Sequence, residues 1–158
     1  MNNIFIKTIT FFFIIGLSAC SYKPIFSEQN YGFEIEKIIL NGEKDINRII
    51  NSKLKSIKSD GKIKKEKYTL VIQSKKNREI VSKDSKGDPL KFKMVISIEY
   101  KLSKKGNLIL SNRIEKNNVY NNDSDKFELE QTEDIILEKL TGSISDSLIS
   151  SIINLNDN

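Results

Sequence analysis

The sequence predicts an α+β fold, a two-layer sandwich in which two helices cover one face of a four-stranded, mostly antiparallel sheet. Apolar and polar residues alternate through residues 91–102, as expected of a strand with one buried face. Two other stretches repeat their apolar residues every three or four positions, which is the spacing of amphipathic helices. Turn-forming residues separate these segments, and the resulting order of elements is β-α-β-β-β-α.

The first strand and the first helix open the predicted domain. Dense apolar residues over 33–40 predict the strand, and Asn41-Gly42 ends it. Glu43 and Asp45 then supply negative charge in the first turn of a helix, where the helix dipole favours it. This helix is predicted over residues 43–58. Its apolar residues are Ile46, Ile49, Ile50, Leu54 and Ile57.

Three more strands follow the first helix. Apolar residues alternate over 68–80 and predict the second strand. The segment 84–89 then reverses the chain into a hairpin, because it is rich in turn formers and Pro89 cannot donate a ladder hydrogen bond. A fourth strand follows the 103–107 turn and ends near Tyr120. The third strand has the clearest alternation, with Phe92, Met94, Ile96, Ile98, Tyr100 and Leu102 on its buried phase.

A second helix is predicted at the carboxyl end of the chain. Asp125 and Glu128 have capping-box spacing, although Ser or Thr is the usual first member. Gly142 costs about 1 kcal/mol inside a helix, so the sequence leaves open a bend or break there. The apolar stripe consists of Leu129, Ile136, Leu140, Ile144, Leu148 and Ile152, widened by Ile135, Leu137, Ile149 and Ile153.

The first nineteen residues have the three parts of a secretory signal peptide. Lys7 supplies the positive charge, and the apolar run that follows is too short to span a bilayer comfortably. Leu17-Ser18-Ala19-Cys20 resembles the bacterial lipobox, in which a diacylglycerol is attached to the cysteine after cleavage before it. An ordinary signal with an incidental cysteine and an uncleaved anchor are the alternatives. We therefore expect residues 1–19 to be removed.

The lipobox reading also predicts how the rest of the chain is organised. Residues 20–32 form a lipidated cysteine and tether, and residues 33–155 form a single α+β domain. Cys20 is the only cysteine, which agrees with acylation because a lone thiol cannot form an internal disulfide. Ser21 stands where diderm bacteria place Asp to retain lipoproteins in the inner membrane. By that resemblance we expect the outer membrane, facing the periplasm.

The composition excludes most kinds of chemistry. The chain has no histidine, no tryptophan and no second thiol, which removes Ser-His-Asp, Cys-His and nearly all zinc sites. No glycine loop for phosphate is present, so we expect no cofactor, no metal and no enzyme activity, with carboxylate-only hydrolysis formally open. The formal net charge of +5 is spread along the chain and carries no nucleic-acid-binding motif, which predicts no nucleic-acid partner.

Two segments resemble a known family, the LPS-assembly lipoproteins of the alphaproteobacterial LptE type. After Cys20, Tyr22-Lys23-Pro24-Ile25-Phe26 is similar to the family's Cys-Gly-Phe-Arg-Pro-Leu-Tyr opening, although Ser21 replaces the usual Gly. Asn118-Val119-Tyr120-Asn121 is similar to its Ser-Tyr-Asn segment, which precedes an acidic helix. The order of elements agrees, and the likeness extends over essentially the whole chain.

This resemblance implies a function and a set of contacts. Such lipoproteins form a plug inside the outer-membrane barrel LptD, help it to fold and are thought to bind LPS. The family's proposed LPS contacts include basic residues near the turn between the second and third strands, where this chain has Arg78, Lys83 and Lys86. The alternatives are that these are solvated hairpin residues, and that the protein is an adaptor or assembly factor for another envelope complex.

Overall fold

The computed structural model describes residues 33–56 and 66–155, and it has the predicted α+β fold. The signal peptide, Cys20, the tether and Ile57 lie outside the described residues. Four strands form one sheet in the order β1-β2-β3-β4, and two helices pack on it. The elements are β1 Phe33–Gly42, α1 Lys44–Ser56, β2 Glu66–Lys83, β3 Pro89–Lys104, β4 Asn107–Asn121 and α2 Lys126–Ile153.

The strand pairings explain where α1 must lie. β2, β3 and β4 form an antiparallel meander, whereas β1 pairs with β2 in parallel. Parallel neighbours need a crossover connection, because the chain has to return to the same end of the sheet. α1 lies within this crossover. The sheet is therefore mostly antiparallel, as predicted, with one parallel pair at the β1 edge.

The junction between β1 and α1 is held by a close backbone approach. Gly42 has a φ of +94°, and a Cβ placed on it would lie 2.0 Å from the carbonyl oxygen of Ser74. Ser74 is buried, and its Oγ accepts a hydrogen bond from the Glu43 backbone N–H at 2.9 Å. The same Oγ lies 2.8 Å from Oδ1 of Asn47. These contacts fix the start of α1 against the middle of β2.

The core lies between the sheet and the two helices. On β3, all six residues of the predicted alternating phase are buried. On α2, the six residues of the predicted stripe are also buried, but Ile135, which was predicted to widen it, is 66% exposed. β2 contributes Tyr68, Leu70 and Ile72. α1 contributes Ile46, Ile50 and Leu54.

α2 runs without a break through Gly142. Asp125 caps its start, with the side chain accepting hydrogen bonds from the backbone N–H groups of Phe127 and Glu128. Leu140 and Ile144, on either side of the glycine, are both buried in the core. Because tertiary packing contributes more to helix stability than intrinsic propensity, the glycine cost of about 1 kcal/mol does not interrupt the helix. The break that the sequence left open at Gly142 is therefore absent.

Candidate binding surface

The described residues contain no grouping that suggests metal chemistry or a membrane span. Within residues 33–56 and 66–155, no set of three or more His, Cys, Asp or Glu side chains could hold a metal ion. In the same part of the chain, no helix is both long and apolar enough to cross a bilayer.

Arg78 occupies a structural position on the helix-covered side of β2. Its guanidinium carbon lies 3.7 Å from the centre of the Phe92 ring, and its Nε lies 3.1 Å from Oε1 of Glu133 on α2. Tyr120 donates a hydrogen bond of 2.6 Å to the same carboxylate oxygen, and its ring centre lies 5.8 Å from that of Phe92. Arg78 therefore helps to hold the amino-terminal half of α2 on the sheet.

Burial affects the chemistry of this cluster. Tyr120 is 7% exposed, and burial together with its hydrogen bond to Glu133 raises the pKa of the phenol to about 12. The phenol is neutral at physiological pH and acts as a hydrogen-bond donor. Glu133 can accept from Tyr120 and Arg78 together because a carboxylate oxygen has more than one acceptor site.

Lys83 and Lys86 lie beyond this cluster, at the end of the β2–β3 hairpin. Strand rise separates Arg78 from Lys83 by about 16 Å. Asp84 closes the turn, because its Oδ1 accepts hydrogen bonds from the backbone N–H groups of Lys86 and Asp88, each at 2.8 Å. Both lysine side chains are exposed, and no carboxylate among the described residues forms an ion pair with either.

Residues 79–91, which we name the hairpin tip, contain no buried side chain. The tip carries three exposed apolar residues, Ile80 at 50%, Val81 at 52% and Leu90 at 50%, and exposed Lys91 adds a third lysine. These residues were missed as site candidates. Two adjacent apolar residues, Ile80 and Val81, could have pointed to an apolar surface patch. In the sequence they indicated only that the strand continues.

The hairpin tip is amphipathic, and its charges are balanced. Glu79, Asp84 and Asp88 equal the three lysines in number, so affinity for an anion depends on where the charges point. Glu79 forms an ion pair with Lys93 of β3 at 2.7 Å. The Asp84 carboxylate accepts backbone hydrogen bonds within the turn. The lysines, the apolar side chains and the exposed carboxylate of Asp88 are the groups that the tip offers to a ligand.

The uncovered face of the sheet is polar and carries cross-strand ion pairs. Arg113 of β4 lies 3.4 Å from Glu99 of β3 and 2.7 Å from Glu115 of its own strand. Val95 and Ser97 are among the residues that line an open trough of about 500 Å³ on this face. Such an open, charged surface suits contact with another polar surface better than enclosure of a small molecule.

α2 and the sheet differ in charge. α2 has six acidic residues and two lysines, whereas β2 and β3 together have nine basic and three acidic residues. One ion pair, Lys53 to Asp146 at 2.6 Å, links α1 to α2 across the groove between the helices. The sheet layer therefore presents positive potential and α2 presents negative potential, which would orient the molecule in the field of a charged partner.

Comparisons with known proteins identify the fold. No family model matches the chain, and no curated protein matches its sequence. Solved structures of bacterial lipoproteins do share the two-layer α+β fold. The structure of rare lipoprotein B from Shewanella oneidensis has a TM-score of 0.51 at 16% identity, covering 76% of this chain and 98% of that one.

Two further structures give the same result. A minor lipoprotein from Acinetobacter baumannii has a TM-score of 0.52 at 14% identity, covering 77% of this chain and 96% of that chain. Lipoprotein B from Nitrosomonas europaea has a TM-score of 0.60 at 12% identity, covering 85% of this chain and 94% of that chain. At these identities the likeness shows a common fold.

Proposed function

We propose that this chain is a lipid-anchored outer-membrane protein of the LptE kind. It faces the periplasm, forms a plug complex with the barrel LptD and assists the assembly of LPS at the outer membrane. The observation that carries the proposal is the fold shared with rare lipoprotein B, over nearly the whole of that chain. Rare lipoprotein B is LptE. The role is one of binding and needs no cofactor or catalytic residue.

The anchor is part of this proposal. The lipobox-like residues 17–20 support acylation of Cys20, and the structural neighbours are themselves lipoproteins. Each CH2 of a buried acyl chain contributes about 0.8 kcal/mol, so two or three chains hold the protein at the membrane. Mass spectrometry of the mature protein tests this directly. An amino-terminal acylated cysteine at position 20 is expected, and an unmodified thiol there would contradict the proposed anchor.

The hairpin tip supports the part of the proposal that concerns LPS. LPS combines phosphates with acyl chains, and the tip places ammonium groups beside exposed apolar side chains. Lysine is a flexible point-charge donor to phosphate, and its stem can lie along apolar surface. We therefore assign LPS contact to Lys83 and Lys86, with Ile80, Val81 and Leu90 beside them. Arg78 is not assigned to this contact, because its guanidinium already stacks on the Phe92 ring and forms an ion pair with Glu133.

The first test concerns the partner. The tagged protein is purified from detergent-solubilised outer membranes, and whatever remains bound is identified by mass spectrometry. A large β-barrel in stoichiometric amount supports the plug complex. If the tagged protein is recovered without a partner, or with periplasmic proteins that exchange on and off it, the plug complex is contradicted. That result favours an adaptor for another envelope complex. Depletion of the protein should in addition leave misassembled barrel and less surface LPS.

The second test concerns the hairpin tip. Changing Lys83→Glu together with Lys86→Glu should weaken LPS binding about tenfold or more, since a hydrogen bond to a charged group contributes about 1.5 to 3 kcal/mol. The matched control is Lys101→Glu with Lys116→Glu, two lysines that are exposed elsewhere on the sheet. Circular dichroism should be unchanged in both. Equal binding by the two double variants would remove the tip from the LPS site.

A further inference from the structure

β2 continues past the strand that pairs with it on one side. The pairing of β1 with β2 ends at Gly42 and Ser74, whereas β2 runs on to Lys83. Gly42, with its φ of +94°, turns the chain away into α1, so no described strand lies beside residues 75–78 on that side. We name residues 75–78 the β2 notch. The backbone groups on its outward side have no backbone partner in the described part of the chain.

The β2 notch is a preformed and accessible piece of strand. Its pairing with β3 is regular, which holds it in the extended conformation, and its residues are all exposed. It lies at one side of the open trough on the uncovered face, whose lining also includes Glu43, Lys75 and Lys76. Four residues of strand extend over about 13 Å. An edge of this kind can accept an extended peptide through backbone hydrogen bonds.

Positive charge decides which peptides the notch can accept. Three of its four residues are cations, Lys75, Lys76 and Arg78. The charge of Arg78 is neutralised by its ion pair with α2, but no described carboxylate forms an ion pair with Lys75 or Lys76. Lysines on a free edge deter most strands, because burying an unpaired ammonium group is costly. They attract a strand that carries carboxylates.

The two outer edges of the described sheet lack this bias. On β4, Arg113 is already paired with Glu115 at 2.7 Å, which leaves Lys116 as the remaining charge. β1 has two glutamates and one lysine, and its register is irregular between Ile35 and Lys37. Irregular pairing is one of the features that protect a sheet edge. Neither of these strands offers two adjacent lysines without an ion pair.

Lys75 and Lys76 lie on opposite faces of the sheet. Lys76 is in register with buried Ile96 and is therefore on the helix-covered face. Lys75 is in register with Ser97, which lines the trough on the uncovered face. Successive side chains of a partner strand also alternate between the two faces. A segment with two neighbouring acidic residues therefore presents one carboxylate to each lysine while its backbone pairs with β2.

We propose that the β2 notch binds an extended acidic segment of a partner protein, which adds a short strand to the sheet in line with β1. Backbone hydrogen bonds supply affinity, and the two carboxylates supply specificity. A lipid phosphate would use the lysines but would leave the backbone groups of the edge unpaired. Naming the barrel as the partner rests on the proposed function. One segment of one barrel then fills one notch, and the hairpin tip stays available for LPS.

Site-specific photo-crosslinking in the full-length protein, in its own membrane, tests where the partner lies. Asn77→benzoylphenylalanine is the probe, and Asn117→benzoylphenylalanine is the matched control. The two asparagines are in one row of the sheet, each in register with Val95 of β3, but at different edges. Residue 77 should crosslink to the barrel severalfold more than residue 117. The crosslinked barrel peptide, sequenced by mass spectrometry, should contain neighbouring acidic residues.

Charge reversal tests the two lysines. Lys75→Glu with Lys76→Glu should lower the amount of barrel recovered with the tagged protein about tenfold or more, because two charge-assisted contacts become repulsive. Lys101→Glu with Lys116→Glu is again the matched control and should retain the barrel. Changing the acidic residues of the crosslinked barrel peptide to lysine should restore recovery with the double glutamate variant. A merely structural effect of the substitutions would not be reversed in this way.

Several outcomes would overturn the proposal. Equal crosslinking at residues 77 and 117, a crosslink to LPS or to this chain itself, or a crosslinked peptide without acidic residues would each do so. Absence of a crosslink at residue 77 would also overturn it, and the plug complex would stand if the barrel still co-purified. A crosslink to an acidic segment of a different protein would support the docking site and contradict the barrel as partner. Circular dichroism checks the folding of each variant.

Discussion

Tyr120, near the end of β4, donates a hydrogen bond of 2.6 Å to Glu133 on the second turn of α2. Arg78 of β2 approaches the same carboxylate to 3.1 Å. One side chain of α2 thus contacts groups from two strands that are not neighbours in the sheet.

Replacing Glu133 should loosen the amino-terminal half of α2. Glu133→Ala leaves the largely buried Tyr120 hydroxyl without its acceptor and Arg78 without its ion pair. We expect the free energy of unfolding to fall by about 1 to 3 kcal/mol, measured by urea denaturation. Glu130→Ala is the control, because that glutamate is exposed on the same helix. An equal effect of the two substitutions would mean that the Tyr120 contact does not stabilise the fold.

The raised pKa of Tyr120 predicts a loss of stability in alkali. The folded-state pKa is about 12, above the ordinary tyrosine value of about 10. The stabilisation is therefore complete below about pH 10 and is lost as the pH rises from 10 towards 12. In a titration followed by tyrosinate absorbance, Tyr120→Phe should remove a step near pH 12. If every tyrosine of the folded protein ionises near pH 10, the assignment fails.

Gly42 should be far less replaceable than Gly106, although both have positive φ. A Cβ at Gly42 meets the Ser74 carbonyl oxygen at 2.0 Å, whereas one at Gly106, with a φ of +85°, meets nothing within 4 Å. Gly106→Ala should cost about 1 to 2 kcal/mol from backbone strain alone. Gly42→Ala should cost clearly more, or prevent folding. Similar unfolding midpoints for the two variants in urea would contradict this geometry.

Gly142→Ala should stabilise the protein. The added methyl group would lie 3.8 Å from Nζ and 3.9 Å from Cε of Lys53, which are ordinary van der Waals distances. Alanine in a helix interior is favoured over glycine by about 0.5 to 1 kcal/mol. We expect a rise of that size in the free energy of unfolding. A decrease would show that Lys53 cannot accommodate the methyl group.

The order and phase of the elements could be predicted because local pattern and packing agree in them. The alternation of β3 places its six apolar residues in the core, as the period of a strand requires. In β2 the same reasoning extended the apolar phase to Ile80, but burial ends at Ser74 and Ile80 is 50% exposed. A strand can continue past the layer that covers it, and its own sequence does not record where that layer ends.

The contacts of Arg78 lay beyond sequence reasoning for a different reason. Its ionic partner Glu133 follows it by 55 positions, and only the packing of α2 on the sheet brings them together. Lys83 and Lys86 could be placed at the hairpin from the turn residues alone. The apolar neighbours that give the hairpin tip its amphipathic character became evident only from their exposure.

The parallel pairing of β1 has a consequence for the order in which the protein is made. Among the described strands β1 pairs only with β2, which begins 24 residues after β1 ends. During chain elongation Ile35, Ile38 and Leu40 therefore have no sheet to join until the crossover is complete, whereas the β2–β3–β4 meander can form from local contacts. The amino-terminal strand is made first but incorporated late. Until β2 is in place, the apolar residues of β1 are exposed to pairing with other strands.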